Sequence, residues 1–343
     1  MVAVSFDPDD LIRVGKALEA SLVDELGAVT MTDGPARVGH GLDTYIYRFQ
    51  LAGDGLGSGW EQPLILRIFA APHQEEKARR ETAVQEFLSR AGFPAPLPLL
   101  VRGADNDLGL PFMIMERVPG SPMLDRFKNP LAIPGLLRRM ADLQVRLHRL
   151  PLDGSPLPYE GPLVDRRLAE VRELVERFGL SELAEPLAWI EEHRDVVAAE
   201  EPAMLHNDFH PLNVMLSDEG EMHVLDWSDA AVGDRHHDLA RTLALFWLAP
   251  PLARSILERL LLTAARGYLI SRYLARYAEQ LPVDRDRLRY WEALHAAMAW
   301  AQVAAIRGGC GEELGAKPGA VEQVPPGFGR SLQAYFWNRA QPS

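Results

Sequence analysis

Residues 204–238 read MLHNDFHPLNVMLSDEGEMHVLDWSDAAVGDRHHD, and the order of acidic and amide groups within them decides how the rest of the chain is interpreted. His206, Asp208 and Asn213 make the pattern H-x-D-x-x-x-x-N, and a β-type run, Glu221-Met222-His223-Val224-Leu225, leads into Asp226-Trp227. Moving a phosphoryl group needs little covalent help from protein, only alignment of the acceptor hydroxyl and neutralisation of phosphate charge. Asp208 is the candidate to orient that hydroxyl and take its proton. Asn213 and Asp226 offer an amide and a carboxylate oxygen, hard ligands suited to Mg²⁺ beside nucleotide phosphates. The step from Asp208 to Asn213 crosses a tight loop containing Pro211, and a hairpin over 214–225 should return Asp226 to the side of Asn213. An Asp or Asn beside a proline ordinarily caps a helix or closes a turn, so the weight rests on all three groups in order with a hairpin between them. His206 reads as a buttress of the loop rather than a proton carrier.

Outward from this segment, the chain changes character once. Asp7-Pro8 before Leu11, Val14, Leu18, Leu22 and Leu26 reads as the capped start of a first helix that ends at Gly27. Strand-like runs follow at Thr44–Leu51 and Leu64–Phe69, then a charged helix over 74–91, stopped by the proline-rich stretch after Gly92, and a further strand pair at 97–102 and 111–117. After the turn-rich connector Val118–Pro122 the pattern is helical, over 134–149, 165–178, 181–199, 238–248, 252–280 and 285–307, interrupted only by the hairpin Val214–Leu216 with Met222–Leu225. The expectation is an α+β fold of two lobes. Residues 1–117 form a small β-rich lobe and 118–343 a larger helical one, with a hinge near 115–122.

Composition limits the partners. The 343 residues carry 47% hydrophobic and 24% charged side chains, enough for two cores. The net charge of −12 divides evenly between residues 1–117 and 118–343, so nucleic acid and anionic membrane are poor partners. Mild acidity suits a cationic small substrate only weakly. One cysteine, Cys310, excludes an intrachain disulfide and a cysteine metal cluster. No positive segment followed by an apolar run opens the sequence, and the longest apolar runs are too short or interrupted to span a bilayer, which points to a cytoplasmic protein. Arginine outnumbers lysine by 32 to 4, a bias that matters at Arg67.

With these residues in place, the chain resembles the aminoglycoside phosphotransferase and choline kinase-like enzymes, which share the protein-kinase-like fold. The resemblance runs through most of the chain, strongest over 204–240 and weaker in 36–118. It implies that Asp208 is the catalytic base, that Asn213 and Asp226 bind Mg²⁺, and that ATP or GTP donates the phosphate. Asp226-Trp227 then stands where protein kinases carry D-F-G, and Asp238 is the aspartate that braces the catalytic loop. Arg235 follows Gly233-Asp234 where the family often has proline.

The nucleotide side is less regular. Val38-Gly39-His40-Gly41-Leu42-Asp43-Thr44-Tyr45 takes the place of a phosphate-covering loop, with Gly39 and Gly41 as candidate contacts, but two glycines before a strand also make an ordinary turn. Arg67 replaces the usual strand lysine and can fork two phosphate oxygens. Glu81 on the following helix would pair with it. Met115, Glu116 and Val118 are candidates to offer backbone groups to the base.

Two rivals stand beside the kinase reading. His206-x-x-x-His210 and His237-Asp238 suggest a metal-dependent phosphohydrolase, against which Pro211 and the missing H-E-x-x-H argue. A nucleotide-binding pseudokinase is suggested by Arg67 and the irregular glycine loop. For the acceptor, a small hydroxyl-bearing molecule, the candidates are Asp229 and Trp291, Glu292, His295 and Trp300 of helix 285–307. Leu288, Trp291, Leu294 and Met298 are equally spaced like ordinary core residues, and an aromatic cage for a cation is the alternative.

Overall fold

Alternating inward residues build the first sheet. In β2 (Thr44–Ala52), Tyr47, Phe49 and Leu51 are buried while Arg48 is exposed, the two-residue period of a strand covered on one face. β3 (Leu64–Phe69) is covered on both. Leu64, Leu66 and Ile68 join the cluster containing Val14, Leu18 and Leu22 of α1 (Leu11–Leu26), whereas Phe69 packs with Ala78 of α2 (Glu75–Arg90) and Met113 of β5 (Phe112–Glu116). The sheet is antiparallel throughout, in the order β1-β2-β3-β5-β4, with β1 at Thr30–His40 and β4 at Pro98–Arg102. The computed structural model describes residues 6–40, 44–53, 55–199, 201–248, 256–314 and 324–341.

The chain divides into two compact units. The first takes in Met1–Pro122, Gly154–Pro156 and Asn213–Ser228, and the second Met123–Asp153, Leu157–Leu212 and Asp229–Ser343. Local bonds explain why the hairpin travels with the first unit. β6 (Ser121–Pro122) pairs with β8 (Val214–Leu216), β8 pairs with β9 (Met222–Val224), and Val224 N–H donates to Pro94 O at 2.8 Å. Gly120, at φ +105°, permits the close approach. A Cβ there would lie 2.1 Å from Leu216 O, a contact no side chain can make.

The second unit is helical: α3 (Ile133–His148), α4 (Leu163–Arg177), α5 (Ala184–Glu192), α6 (Arg235–Leu248), α7 (Ile256–Gln280), α8 (Arg285–Ala305) and α9 (Phe328–Ala340). α8 runs against α4, α6 and α9, and its Trp291 and Tyr290 are almost wholly buried. Among the described residues no helix is long and apolar enough to cross a membrane. The mixed α+β architecture, an antiparallel sheet lobe and a helical lobe, is the one expected.

Several details differ from the sequence reading. The cap of α1 is Asp10, which accepts from Arg13 N–H, while Asp7 accepts from Asp9 N–H within the preceding turn. β1 is a full strand although TMTDGPARVGH lacks alternation, because three register shifts let an edge strand absorb Gly34 and Pro35. A second antiparallel pair lies in the helical unit, β7 (Pro202–Leu205) with β10 (Ala231–Asp234). The helix expected over 181–199 breaks at His193 into α5 and flanking 3₁₀ turns, α6 starts at Arg235, and α9 adds an unanticipated last helix. Residues 252–255 of the expected long helix lie outside the described residues.

Candidate functional site

In the first unit, strand alternation turns Arg67 toward the α2 side of the sheet. Its Nη1 donates to Glu81 Oε1 at 2.5 Å and its Nη2 to Asp226 Oδ1 at 3.1 Å, so one guanidinium spans two carboxylates. Arg67 and Glu81 are buried, while the Asp226 side chain keeps 42% of its surface exposed. Burial pushes the Glu81 carboxyl up to about 7 against the lowering pull of Arg67. Trp227 anchors the hairpin: its indole N–H donates to Val224 O, and its ring meets Phe93 edge to face.

The residue before Asp226 is tied to Asn213 through the backbone. Leu225 N–H donates to Asn213 O at 2.8 Å, which sets the two positions side by side at the open end of the hairpin. One amide and one partly exposed carboxylate are hard oxygen donors, and they fit a magnesium ion that completes its shell from phosphate and water. Among the described residues no group of three or more His, Cys, Asp or Glu gathers into a closed metal cage. Gly39 lies in β1 opposite Ile46, and Gly41 falls outside the described residues. Met115 and Val118 are buried; Glu116 exchanges bonds with Leu97, donating its N–H to Leu97 O and accepting from Leu97 N–H.

In the second unit, Asp208 sits on a loop held from below. His206 Nδ1 accepts from Asp208 N–H at 3.2 Å. Asp208 Oδ2 meets His210 Nε2 at 3.1 Å, and its Oδ1 lies 3.8 Å from Arg241 Nη2. Burial pushes the Asp208 carboxyl up, but the His210 hydrogen bond and the fields of His210, Arg241 and His206 overcome it and hold the group below its ordinary value. His206 and His210 lie in this loop, not on a helix, so their spacing does not create a helical zinc pair.

Asp238 is hydrogen-bonded directly to this loop. It is fully buried at the start of α6 and accepts from Asn207 N–H, from Gln144 Nε2 at 3.0 Å and from His148 Nε2 at 2.9 Å. Gln144 is fixed in turn by Tyr273 and Thr242, His148 by Tyr277, and Thr242 also donates to Phe209 O inside the loop. Asn207 Nδ2 donates to Asp229 O and its Oδ1 meets His237 Nδ1. Sequence reasoning missed Gln144, His148, Thr242, Tyr273 and Arg241. The available signal was a Gln and a His one turn apart on the apolar face of 134–149.

Only two non-glycine residues adopt positive φ among the described residues, Asn207 at +64° and Asp226 at +61°. Such strain persists only where surroundings enforce it, and it concentrates at functional loops. Both lie in the motif, one beside Asp208 and the other at the proposed metal ligand.

The acceptor candidates divide. Asp229 is exposed. Trp291, Glu292 and His295 are interior instead: the Trp291 indole donates to Asp234 Oδ2 at 2.8 Å, Glu292 pairs with Tyr335 and Arg339, and His295 binds His237 O. Trp300 is also buried, with its indole N–H on Glu182. An aromatic cage on α8 is thereby replaced by core packing, because each polar edge is committed within the unit.

Known proteins resemble this chain in sequence or in fold. The acyl-CoA dehydrogenase family member 10 of Mus musculus is 26% identical over 257 residues, covering 68% of this chain and 22% of that protein, so the chain spans about a fifth of that relative's length. A Ralstonia eutropha JMP134 protein assigned as an aminoglycoside phosphotransferase superposes with a TM-score of 0.65 at 17% identity, over 95% of this chain and 97% of that one. Aminoglycoside phosphotransferase APH(4)-Ia, in a complex with ADP and hygromycin B, gives 0.63 at 17% identity over 94% and 98%. The choline kinase LicA of Streptococcus pneumoniae gives 0.58 at 13% identity over 95% and 98%. These likenesses show a shared fold. The model of the phosphotransferase enzyme family matches residues 36–291, and the chain belongs to that family.

Proposed function

We propose that the protein transfers the γ-phosphoryl group of ATP or GTP to a hydroxyl of a small molecule. The observation that carries this reading is the pair of enforced left-handed residues, Asn207 and Asp226, at the neighbour of the base and at the metal ligand. Asp208 accepts the hydroxyl proton as the acceptor oxygen forms its bond to the γ-phosphorus. The bond from that phosphorus to the β–γ bridging oxygen breaks, and its electron pair leaves with the nucleoside diphosphate. Asp238 and His206 hold the base in place. Arg67, steadied by Glu81, binds phosphate oxygens, and Asn213 with Asp226 would hold magnesium, which when bound neutralises phosphate charge. The nucleotides and acceptors of the structural relatives, ADP and hygromycin B in one and a choline kinase activity in another, support a nucleotide donor and a small acceptor.

The experiment is nucleoside diphosphate release measured with ATP and with GTP, across a magnesium titration and a panel of hydroxylated compounds. The reading requires acceptor-stimulated, magnesium-dependent release that Asp208→Ala lowers by about 10²–10⁴-fold, the range for a positioned acid–base group, while circular dichroism stays native. Release that survives Asp208→Ala overturns it. Nucleotide binding without turnover would favour the pseudokinase.

A further inference from the structure

α6 delivers two groups to one loop. Asp238 grips Asn207, and Arg241, three residues on and so on the same helix face, reaches Asp208. The Arg241 contact is unlike the others. At 3.8 Å it is too long for a hydrogen bond, the side chain keeps 34% of its surface exposed, and among the described residues Asp208 is its only ion-pair partner. A guanidinium whose donors are not consumed, placed beside the group that receives the acceptor hydroxyl, is suited to fork an oxyanion a few bonds from that hydroxyl.

The surroundings favour an anion. Arg167 and Arg166 of α4 act on the same interior: burial holds His237 well below its ordinary value, and the fields of His295, Arg167, Arg241 and Arg166 add to it. Those two arginines are each neutralised nearby, Arg167 by Glu170 at 2.7 Å and Arg166 by Glu160. Arg241 shares Asp208 with His210. The exposed Asp229, whose carbonyl takes the Asn207 amide, is the acidic group that would favour a cation instead.

Resting on the phosphotransferase reading, we propose that Arg241 is a specificity-determining residue that binds an oxyanion of the acceptor, so that this site takes hydroxylated carboxylates or phosphate esters.

The test compares kcat/KM for matched acceptors: 4-hydroxybutyrate against its amide, glycerol 3-phosphate against glycerol, and choline and hygromycin B as cations. At least one acid should exceed its neutral partner and both cations by tenfold or more, and the favoured pair identifies carboxylate or phosphate. Arg241→Met should raise KM for that acid at least tenfold and erase the preference, while Arg241→Lys, which keeps the charge without the fork, should retain part of it. A neutral or cationic compound used as well as the acids overturns the inference, as does a preference unchanged in both variants. Asp208-dependent turnover of choline or hygromycin B alone would remove the acid preference and leave the kinase reading standing. If no compound raises Asp208-dependent release, both fall together.

Discussion

Asp238→Asn isolates what this carboxylate contributes to the loop, since it keeps shape and removes charge and one acceptor. In the native loop three donors converge on the carboxylate: Asn207 N–H on Oδ1, with Gln144 Nε2 and His148 Nε2 on Oδ2. The amide oxygen of an asparagine can still take Asn207 N–H, but its NH₂ then faces two donors. His148 can respond by moving its proton to Nδ1 and donating to the Tyr277 hydroxyl, 2.6 Å away. Gln144 cannot turn, because Tyr273 already donates to its Oε1 at 2.8 Å. One charge-assisted bond is lost and one donor is stranded, a cost of about 2–3 kcal/mol, which shifts a urea midpoint by roughly 1 M. Asp238→Ala strands all three and should cost about 4–6 kcal/mol, much of a typical domain's stability. The sign with pH follows from the depressed carboxyl of Asp238, where burial is outweighed by His148 and Gln144. Its contribution is complete above the unfolded carboxylate value and is lost as pH falls through the folded one, so Asp238→Asn should flatten the acid limb of stability. Urea denaturation followed by circular dichroism at pH 7.5 and pH 4, with nucleotide turnover on the same samples, measures both. A midpoint within error of wild type at pH 7.5 with full turnover would refute the bracing role.

Other outcomes follow from the same contacts. Glu81, raised to about 7, contributes stability that is present below its unfolded value and is lost as pH climbs toward neutrality, so the difference in stability between wild type and Glu81→Gln should change by on the order of 3 kcal/mol from pH 4.5 to 8; a constant difference would show that Glu81 does not titrate in that window. Arg67→Lys keeps the charge but cannot span Glu81 and Asp226 together, and nucleotide KM should rise by about tenfold, the worth of one charged bond. Gly120→Ala must move the backbone away from Leu216 O and leave φ +105°, so thermal denaturation should show a loss of about 2 kcal/mol or more.

The motif was legible because its chemistry is local. Asp208, Asn213 and Asp226 lie within nineteen residues, and a three-residue strand on each side of Asp218-Glu219-Gly220 returns the chain predictably. Arg67 stood out as a charge inside an apolar strand, and the family resemblance pointed to Glu81 on the following helix as its partner; the two meet at 2.5 Å. β1 was hidden because edge strands need no continuous apolar face, and three shifts of register erase the two-residue period. The network under the loop was hidden for a different reason. Gln144 and His148 meet Asp238, and Tyr273 and Tyr277 in turn meet Gln144 and His148, only through packing of α3, α6 and α7; the spacing of Gln144 and His148 marks a polar pair on one helix face but not its partners. Trp291 and His295 illustrate the opposite error, where functional residue types on a helix turned out to serve the interior.

The central claim is that phosphate reaches a hydroxyl through Asp208. Wild type and Asp208→Ala, incubated with magnesium, γ-³²P-labelled ATP or GTP and the acceptor panel, can be compared by where the label ends. Label on an acceptor with wild type, and none above background with Asp208→Ala, is the expected result. Label released only as inorganic phosphate, or transferred equally well by Asp208→Ala, would contradict it.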